Sequence, residues 1–332
     1  MEAMEIKLKT LTPIWTGGVE TGKMDRLNET GIIGSLRWWY EAIVRGLGGS
    51  ACDPSEHSCI YDPENPNNGL CNACQVFGAT GWRRRFRLVV QDVQMSEQPV
   101  TRSMKANRSY EDNRRQTRTS TWYFQNPPQA GQFSIQLQSL QPNFSLEPIQ
   151  GLIQFVTDWA ALGARPQMGF GVMEMTSERL GNNPFSSLRL TGNGSASNLP
   201  SLKNMFFARI KVENGIDQET FNLKYDLRRL FAHDKNVRHF VMGTVQGDRM
   251  GSKIFMSRPY ADNLIRVWGW IPEQASAWNS TWNRQKALTA LNAHLKSKYT
   301  LKTWREFDSP RDTSQQHTDV QAFLNSLWEG QE

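Results

Sequence analysis

The stretch GIIGSLRWWYEAIVR, residues 31–45, decides the fold of the amino-terminal half. Its apolar residues recur at the spacing of one helix face, and they are Leu36, Trp39, Tyr40, Ile43, Val44 and, just beyond the stretch, Leu47. This spacing predicts an amphipathic helix that begins at Ser35, whose hydroxyl can cap the first turn, and that ends near Gly46. Gly31 and Gly34 predict a tight turn into that helix.

In the first half, strands are predicted before and after this helix along the sequence, and a second helix is predicted after it. Strands are predicted in IKLKTL (6–11), FRLVVQDV (86–93), FSIQL (133–137) and MGFGVMEM (168–175). Apolar spacing predicts the second helix from Ile149 to Ala160, with Pro148 at its first position and Gly163 just past its end. The order strand, helix, strand, strand, helix, strand is that of a ferredoxin-like domain.

The carboxyl-terminal half follows a similar pattern. It has strand patterns in MFFARIKV (205–212), KIFMSRPY (253–260) and LIRVWGWI (264–271), and helix patterns around 221–231 and 288–295. We therefore predict an α+β protein with two ferredoxin-like (RRM-like, βαββαβ) domains in tandem with insertions. The predicted parts are the first domain (1–180), with a cysteine loop (50–76) and a basic insertion (94–130), a linker (181–200) and the second domain (201–332).

Positive charge is concentrated in one segment. The chain has a net charge of +6, and the segment from Trp82 to Arg118 alone carries ten basic and four acidic residues. Its polar part lacks clear periodicity, which predicts a long insertion or a flexible hairpin. Arginines interleaved with aromatic residues such as Tyr110 and Trp122 are typical of sequence-tolerant binding to single-stranded RNA. A solvated charged face is the alternative.

The four cysteines, Cys52, Cys59, Cys71 and Cys74, have the spacing C-x6-C-x11-C-x2-C. A close pair such as Cys71 and Cys74 can chelate a soft cation, and the other two complete a tetrahedral thiolate site. We predict a possible structural zinc ion, with His57 as a substitute ligand and no catalytic cofactor. Free thiols are the alternative, because the first pair is wider than usual zinc spacing.

Three glycine-containing segments are candidate phosphate contacts. They are the helix entrance at Gly34 and Ser35 and the loops GARPQMGFG (163–171) and GTVQGDRMGSK (243–253). Helix amino termini attract phosphate, and glycine permits close approach of the backbone. The alternatives are an ordinary capped helix at the first segment and an ordinary hairpin turn at the last.

The chain has no apolar run near the roughly 20 residues that a membrane-spanning helix needs. Its opening MEAMEIKLKT also lacks the apolar stretch of a secretory signal. We therefore expect a cytoplasmic protein.

Several segments of the chain carry a resemblance to a known family. GIIGSLRWWYEAI resembles the first signature of the RAMP superfamily, and CNACQVFG (71–78) followed by RLVVQD (87–92) is similar to RAMP subunits entering their second strand. GARPQMGFG resembles the family's glycine-rich loop, although Pro166, Gln167 and Met168 stand where small and basic residues are common. Trp38, Trp39 and the upstream TPIWTGG (12–18) resemble the first Cmr subunits of type III-B CRISPR complexes.

The resemblance implies a non-catalytic RNA-binding subunit of an antiviral effector complex, near the 3′ end of the guide RNA and aiding target capture. Its implied partners are the guide (CRISPR) RNA, single-stranded target RNA and other Cmr RAMP subunits. Together with the basic segment, it predicts RNA contacts at Gly34, Ser35, Arg37, Arg45, Arg83, Arg84, Arg85, Lys105, Arg108, Arg114, Arg115, Arg118, Arg165, Gln167, Arg249 and Lys253.

A metal-independent endoribonuclease is the alternative function, because the RAMP superfamily includes ribonucleases. Such cleavage needs a base, most often histidine, and a cation for the transition state. His233 and His239 are the best candidates for the base, and Asp25 lies in the loop after the first strand. We predict no catalytic residue, because the resemblance implies a binding subunit.

Overall fold

The computed structural model describes residues 2–53, 56, 58–99, 103–111, 114–124, 126–192, 198–245 and 247–328. The first half contains β1 (Ala3–Thr10), α1 (Glu29–Gly46), α2 (Asn72–Phe77), β2 (Phe86–Glu97), β3 (Ser103–Glu111), β4 (Thr117–Tyr123), β5 (Gln129–Ser139), α3 (Glu147–Trp159) and β6 (Met173–Met175). The second contains β7 (Met205–Lys211), α4 (Gln218–Leu230), α5 (Lys235–Met242), β8 (Ile254–Met256), β9 (Leu264–Trp270), α6 (Arg284–Lys298), β10 (Thr300–Glu306) and α7 (Val320–Ser326). No helix within these described ranges is both long and apolar enough to cross a membrane.

The two halves have the same sheet topology. Hydrogen bonds join the strands in the order β2-β5-β1-β6 in the first half and β10-β7-β9-β8 in the second, and all neighbouring strands are antiparallel. In each four-stranded sheet the strands that come first and third along the chain, β1 and β5 or β7 and β9, lie in the centre, which is the arrangement of a split βαβ unit. The predicted α+β class is confirmed, and both sheets have the ferredoxin-like strand order.

The predicted start of α1 is wrong by six residues. The helix begins at Glu29, with Asn28 at the cap position, and it includes both Gly31 and Gly34. The Asn28 side chain donates to the Gly17 carbonyl oxygen at 2.8 Å, which fixes the chain at this end. A Cβ atom on Gly31 would lie 2.6 Å from the Thr16 carbonyl oxygen. Gly31 therefore permits close packing of the helix on the preceding loop, and it does not form a turn.

Within the basic insertion, β3 and β4 pair as an antiparallel hairpin, one of the two forms that the sequence left open. Its base packs on α4 of the second half: the rings of Trp122 and Phe221 are 5.1 Å apart, and Met104 and Phe124 are buried. Asn107 accepts a hydrogen bond from Arg229 at 2.8 Å through its carbonyl oxygen. The base is thus held by α4, whereas the residues described at the tip are exposed.

One hydrophobic core joins the two halves. It includes Phe207 of β7 and Phe323 of α7 together with residues of α1 and α3. The ring of Trp328, just after α7, stacks on Phe155 of α3 at 5.8 Å. Phe185, in the segment predicted as a linker, is also part of this core. The end of the described chain therefore completes the packing of the first half.

Arginines of the second sheet cap the carboxyl end of α3. The guanidinium of Arg266 donates to the carbonyl oxygens of Thr157 and Ala160, and Arg209 donates to that of Asp158 at 2.9 Å. The last carbonyl groups of a helix have no partner within the helix and carry partial negative charge. The buried Arg266 and the half-buried Arg209 therefore bind the second half to the first.

Candidate nucleic-acid interface

The first glycine-containing loop follows α3 and contains a single 3-10 turn at Pro166–Met168. Gly169 has φ of +82°, and a Cβ atom there would lie 2.7 Å from the backbone nitrogen of Arg258. Gly163 has φ of +91°, and its Cβ atom would lie 2.6 Å from the Trp15 carbonyl oxygen. These two glycines are required by close packing within the protein.

A cavity of about 420 Å³ lies where this loop meets the second glycine-containing loop. We call it the tryptophan cavity, and its lining includes Ser35, Trp38, Gly163, Pro166, Gly251, Lys253, Phe255, Trp268 and Trp270. Three segments predicted separately from the sequence, the start of the α1 pattern and the two loops, therefore converge at one place. No acidic residue is among the described residues that line this cavity.

Lys253 is the only cation in the described lining of the tryptophan cavity. It is 8% exposed, and its ammonium group donates to the Phe240 carbonyl oxygen at 2.9 Å. The nitrogen also lies 3.8 Å from the centre of the Phe240 ring and 5.2 Å from that of Trp270. Burial lowers the pKa of Lys253 to about 8, because a desolvated charge is unfavourable.

A second cavity, of about 680 Å³, adjoins the first, and Met250, Gly251, Ser252 and Phe255 line both. We call it the groove. It lies between the hairpin, α4 and the two loops, and its lining includes Arg108, Trp122, Gln167, Lys224, Tyr225, Arg228, Gly243, Gly251 and Ser252. The hairpin and the two glycine-containing loops thus border a single surface.

Three cations give the groove its charge. Lys224 donates to the Gln167 carbonyl oxygen at 3.3 Å and lies over the Trp122 ring at 4.5 Å. Arg108 lies over the Tyr225 ring at 5.6 Å, and Arg228 donates to the carbonyl oxygen of Gly243 at 2.9 Å.

The cations of the groove are crowded together and partly desolvated. Burial, and then the nearby Arg228, lower the pKa of Lys224 to about 8. Burial also lowers the pKa of Arg228, with further contributions from Arg238 and Arg108. Among the described residues of its lining, none is acidic. The groove therefore attracts anions, and the aromatic side chains of Trp122 and Tyr225 are part of its lining.

The predicted cations of the hairpin tip lie beyond the groove. Arg114, Arg115 and Arg118 are exposed at the tip or beside it, and Lys105 is exposed on β3. Arg115 adopts a left-handed backbone conformation with φ of +57°. Arg102, which contributed to the charge count of this segment, lies outside the described residues.

Two predicted phosphate contacts, Gly34 and Ser35, are not at a helix entrance. They are in the second turn of α1, whereas only the first N–H groups of a helix lack partners within it. The prediction of a helix-terminal phosphate site there is wrong. Ser35 instead lines the tryptophan cavity through its position on the face of α1.

Arg45 and Arg37 are bound within the protein. Arg45 is 5% exposed and donates to the carbonyl oxygens of Ala51, Cys52 and Pro200 at 2.9–3.3 Å. Arg37 contacts Glu41 and Cys74. Because its guanidinium is buried and fully engaged, Arg45 is not available to RNA, and that part of the prediction is corrected.

The remaining predicted cations lie in two regions, beside the cysteine loop and in the two glycine-containing loops. Arg84 lies over the Phe86 ring at 5.2 Å and Arg85 over Trp82 at 5.8 Å, both beside the cysteine loop, and Arg83 is exposed next to them. None of the three lines the groove. Arg165 lies over the Trp15 ring at 3.8 Å, and Arg249 is exposed in the second loop beside Met250.

The four cysteine sulfurs all lie within 4.8 Å of one another. Cys71 caps α2, and its sulfur accepts hydrogen bonds from the backbone nitrogens of Cys52 and Cys74, each at 3.4 Å. The Cys59 sulfur accepts from the Cys71 nitrogen at the same distance. This arrangement could hold a metal ion, as the spacing predicted. His57, the proposed substitute ligand, lies outside the described residues.

The residues named for the nuclease alternative do not line either cavity. His239 lies on α5, and burial together with Arg228 and Arg238 lowers its pKa. His233 is exposed just before α5, and Asp25 is exposed in the loop after β1. The described structure thus does not bring these three side chains together at the candidate site.

Sequence reasoning missed Lys224, Arg228, Trp268 and Trp270. Lys224 and Arg228 are four residues apart on α4, so they share a helix face, and that spacing was a usable signal. Trp268 and Trp270 alternate with Gly269 on β9, and an alternating strand predicts a core position as readily as a binding site.

The fold and the site define an α+β protein with two sheets of ferredoxin-like strand order, whose halves meet at a cation-lined groove. The chain belongs to the RAMP superfamily, whose sequence profile matches residues 7–174, about half of the chain. This confirms the resemblance seen in the sequence signatures. No curated protein matches the chain.

Solved structures that are similar to this chain include three of CRISPR proteins or complexes. The apo form of Cmr1 from Pyrococcus furiosus is 16% identical, with 89% of this chain and 97% of that chain covered and a TM-score of 0.43. A chain of the type III-B Cmr-β complex bound to cognate target RNA is 11% identical, with 88% and 99% covered and a TM-score of 0.45. A chain of a type IV-B CRISPR complex is 13% identical, with 57% and 94% covered and a TM-score of 0.33.

Proposed function

We propose that this protein is a non-catalytic, RNA-binding subunit of a cytoplasmic type III-B CRISPR (Cmr) effector complex. In this proposal it lies near the 3′ end of the guide RNA and helps to capture single-stranded target RNA, and its other partners are Cmr RAMP subunits. Membership of the RAMP superfamily supports the general class. The resemblance of Trp38, Trp39 and TPIWTGG to first Cmr subunits supports the particular role.

The groove is the observation that carries the RNA-binding part of the proposal. Arg108, Lys224 and Arg228 line it without an acidic residue among its described lining. Trp122 and Tyr225 stand beside these cations. A single strand of RNA presents the matching chemistry, because its phosphates are anionic and its unstacked bases can lie on aromatic rings.

The test is the salt dependence of RNA binding. The full chain and an Arg108→Gln, Lys224→Gln, Arg228→Gln variant are titrated against a short, labelled single strand of RNA between about 50 and 300 mM salt. Each phosphate contact contributes about 0.7 to the log-log slope for single strands, so three lost contacts flatten the slope by about 2.

The matched control removes three exposed lysines of the second half, as Lys286→Gln, Lys296→Gln and Lys302→Gln. It should keep the wild-type slope, because these residues do not line the groove. If the groove variant and the control behave alike, the groove is not the RNA site.

The same incubations separate a binding subunit from an endoribonuclease. Recovered RNA is examined on a denaturing gel, and we expect it to remain intact. Cleavage that is abolished by His239→Ala would favour the nuclease in place of the binder, because His239 is one of the two best candidates for the base.

We also propose that Cys52, Cys59, Cys71 and Cys74 bind a structural zinc ion. Zinc–sulfur bonds of about 2.3 Å in a tetrahedron place the sulfurs about 3.8 Å apart. The Cys52 and Cys74 sulfurs are 3.6 Å apart, so only small movements are needed. With four protein ligands, no position remains for an activated water, and the ion serves the fold alone.

Metal analysis of protein purified without chelator tests the zinc proposal. One zinc ion per chain is expected, and it should be lost in Cys71→Ser, Cys74→Ser protein. A metal content well below one per chain in the wild type would show that these cysteines are free thiols.

A further inference from the structure

The tryptophan cavity is not explained by the packing of the fold. It lies between the two halves, and Trp38, Phe255 and Trp270 in its lining are only partly buried. Its volume of about 420 Å³ falls within the usual range of small-ligand sites, roughly 300–1,000 Å³. The cavity is thus large enough for one nucleotide and rich in flat apolar walls.

The cavity also contains a cation in an unusual setting. Lys253 is buried, and its ammonium group donates to the Phe240 carbonyl oxygen and the Met250 sulfur, which are neutral. No carboxylate is among the described residues of the lining. An ammonium group has three donors, so one remains for a ligand. Burying a charge without an opposite charge is unfavourable, and a bound anion would offset that cost.

The cavity opens next to the groove. Met250, Gly251, Ser252 and Phe255 line both the groove and the tryptophan cavity. A linear polymer bound along the groove therefore passes the opening of the tryptophan cavity. A single strand of RNA can turn one base out of its stack, and aromatic pockets accept such bases with little sequence preference.

We propose that the tryptophan cavity holds one unstacked nucleotide of the bound single strand, with its base against Trp38 and Trp270 and its phosphate at Lys253. This assignment rests on the proposed RNA-binding function and names the subsite within it. Trp38 and Lys253 are then the contacts of the base and of the phosphate, respectively.

Binding measurements on two ligands test this division. One ligand is a short single strand of RNA, and the other is a strand of equal length with the same ribose-phosphate backbone but without bases. Loss of one base–aromatic contact weakens binding about tenfold. Trp38→Ala should therefore weaken the complete RNA about tenfold and leave the base-free strand unchanged. Lys253→Met should weaken both ligands.

A matched control is Trp278→Ala, because Trp278 packs on Phe240 with the ring centres 5.3 Å apart and lines neither cavity. Its affinity for both ligands should equal that of the wild type. The subsite is excluded if Trp38→Ala affects both ligands equally or affects neither.

A second measurement needs no variant and so does not depend on variant folding. Wild-type protein is irradiated with RNA that contains 4-thiouridine at every uridine, and the cross-linked peptides are mapped. We expect cross-links in peptides that contain Trp38 or Trp270, which line the tryptophan cavity and not the groove. Cross-links confined to the peptides of Trp122 and Tyr225 would place all bases in the groove and overturn the subsite.

The proposed RNA-binding function and the proposed nucleotide subsite can be disproved separately. If the wild-type protein does not bind the complete RNA, the proposed function and the subsite are both wrong. If it binds RNA with the expected salt dependence but neither variant nor cross-link identifies the cavity, only the subsite is wrong.

Discussion

The Nη2 atom of Arg37 lies 3.1 Å from the sulfur of Cys74, so α1 is bound directly to the cysteine loop. The same guanidinium donates to the Gly78 carbonyl oxygen at 3.1 Å and to Glu41 at 2.9 Å. A residue of the family signature therefore connects two parts of the fold, and it contributes no charge to the groove.

We predict that Arg37→Met destabilises the protein by about 2 kcal/mol, because it removes charge-assisted hydrogen bonds and leaves the buried Glu41 with fewer partners. It should also make zinc easier to remove, since Arg37 offsets the negative charge of the thiolates. Urea unfolding and titration with a chelator measure the two effects. Arg87→Met, at an exposed position, should change stability by less than about 0.5 kcal/mol. Equal stability of the two variants would contradict this role.

Arg266→Met should destabilise the protein by about 3 kcal/mol, because the carbonyl oxygens of Thr157 and Ala160 then remain buried without a donor. Thermal unfolding checks this, with exposed Arg189→Met as the control. If Arg266→Met unfolds at the wild-type temperature, the arginine does not hold the halves together.

Replacing the tip cations with Arg114→Gln, Arg115→Asn and Arg118→Gln should weaken RNA binding and flatten its salt slope. Asparagine suits position 115 because it tolerates the left-handed conformation found there. These residues are exposed, so the unfolding temperature should not change. Binding with an unaltered slope would remove the hairpin tip from the RNA site.

RNA affinity should fall as pH rises from 7 to 9 at constant ionic strength. The pKa of Lys224 is lowered to about 8 by burial and by Arg228, so its ammonium group loses its charge in this range. A bound phosphate favours the charged form, so binding takes up a proton and weakens at higher pH. In Lys224→Arg protein, whose guanidinium stays charged, the pH dependence should be smaller. Identical pH profiles would exclude Lys224 as a phosphate contact.

The sequence predicted the elements better than it predicted their ends. The apolar spacing of Leu36, Trp39 and Ile43 established α1, because only one helix face satisfies that period. Its start was misplaced because Gly31 looked like a turn residue. The reason for that glycine, the nearby Thr16 carbonyl oxygen, is a tertiary contact that no local pattern contains.

The sequence predicted some parts of the candidate site and not others. Cysteine spacing predicted the sulfur cluster, because chelation requires ligands close together in space and a short C-x2-C turn supplies two of them. The fate of each arginine was not predictable, since it depends on contacts made in the folded chain: Arg45 donates to the distant Pro200 carbonyl oxygen, and Arg108 lines the groove. That α4 contributes Lys224 and Arg228 to the groove could not be predicted, because it depends on where the hairpin packs on the second half.

The position of α7 has a consequence for synthesis of the protein on the ribosome. Phe155 and Trp159 emerge early, but the residues that cover them, from Phe323 to Trp328, are translated only after all strands of the second sheet. The nascent amino-terminal half therefore presents uncovered aromatic surface while the rest of the chain is being made, a condition that favours aggregation. Synthesis of α7 is thus the step that lets Phe155 and Trp159 reach their final surroundings.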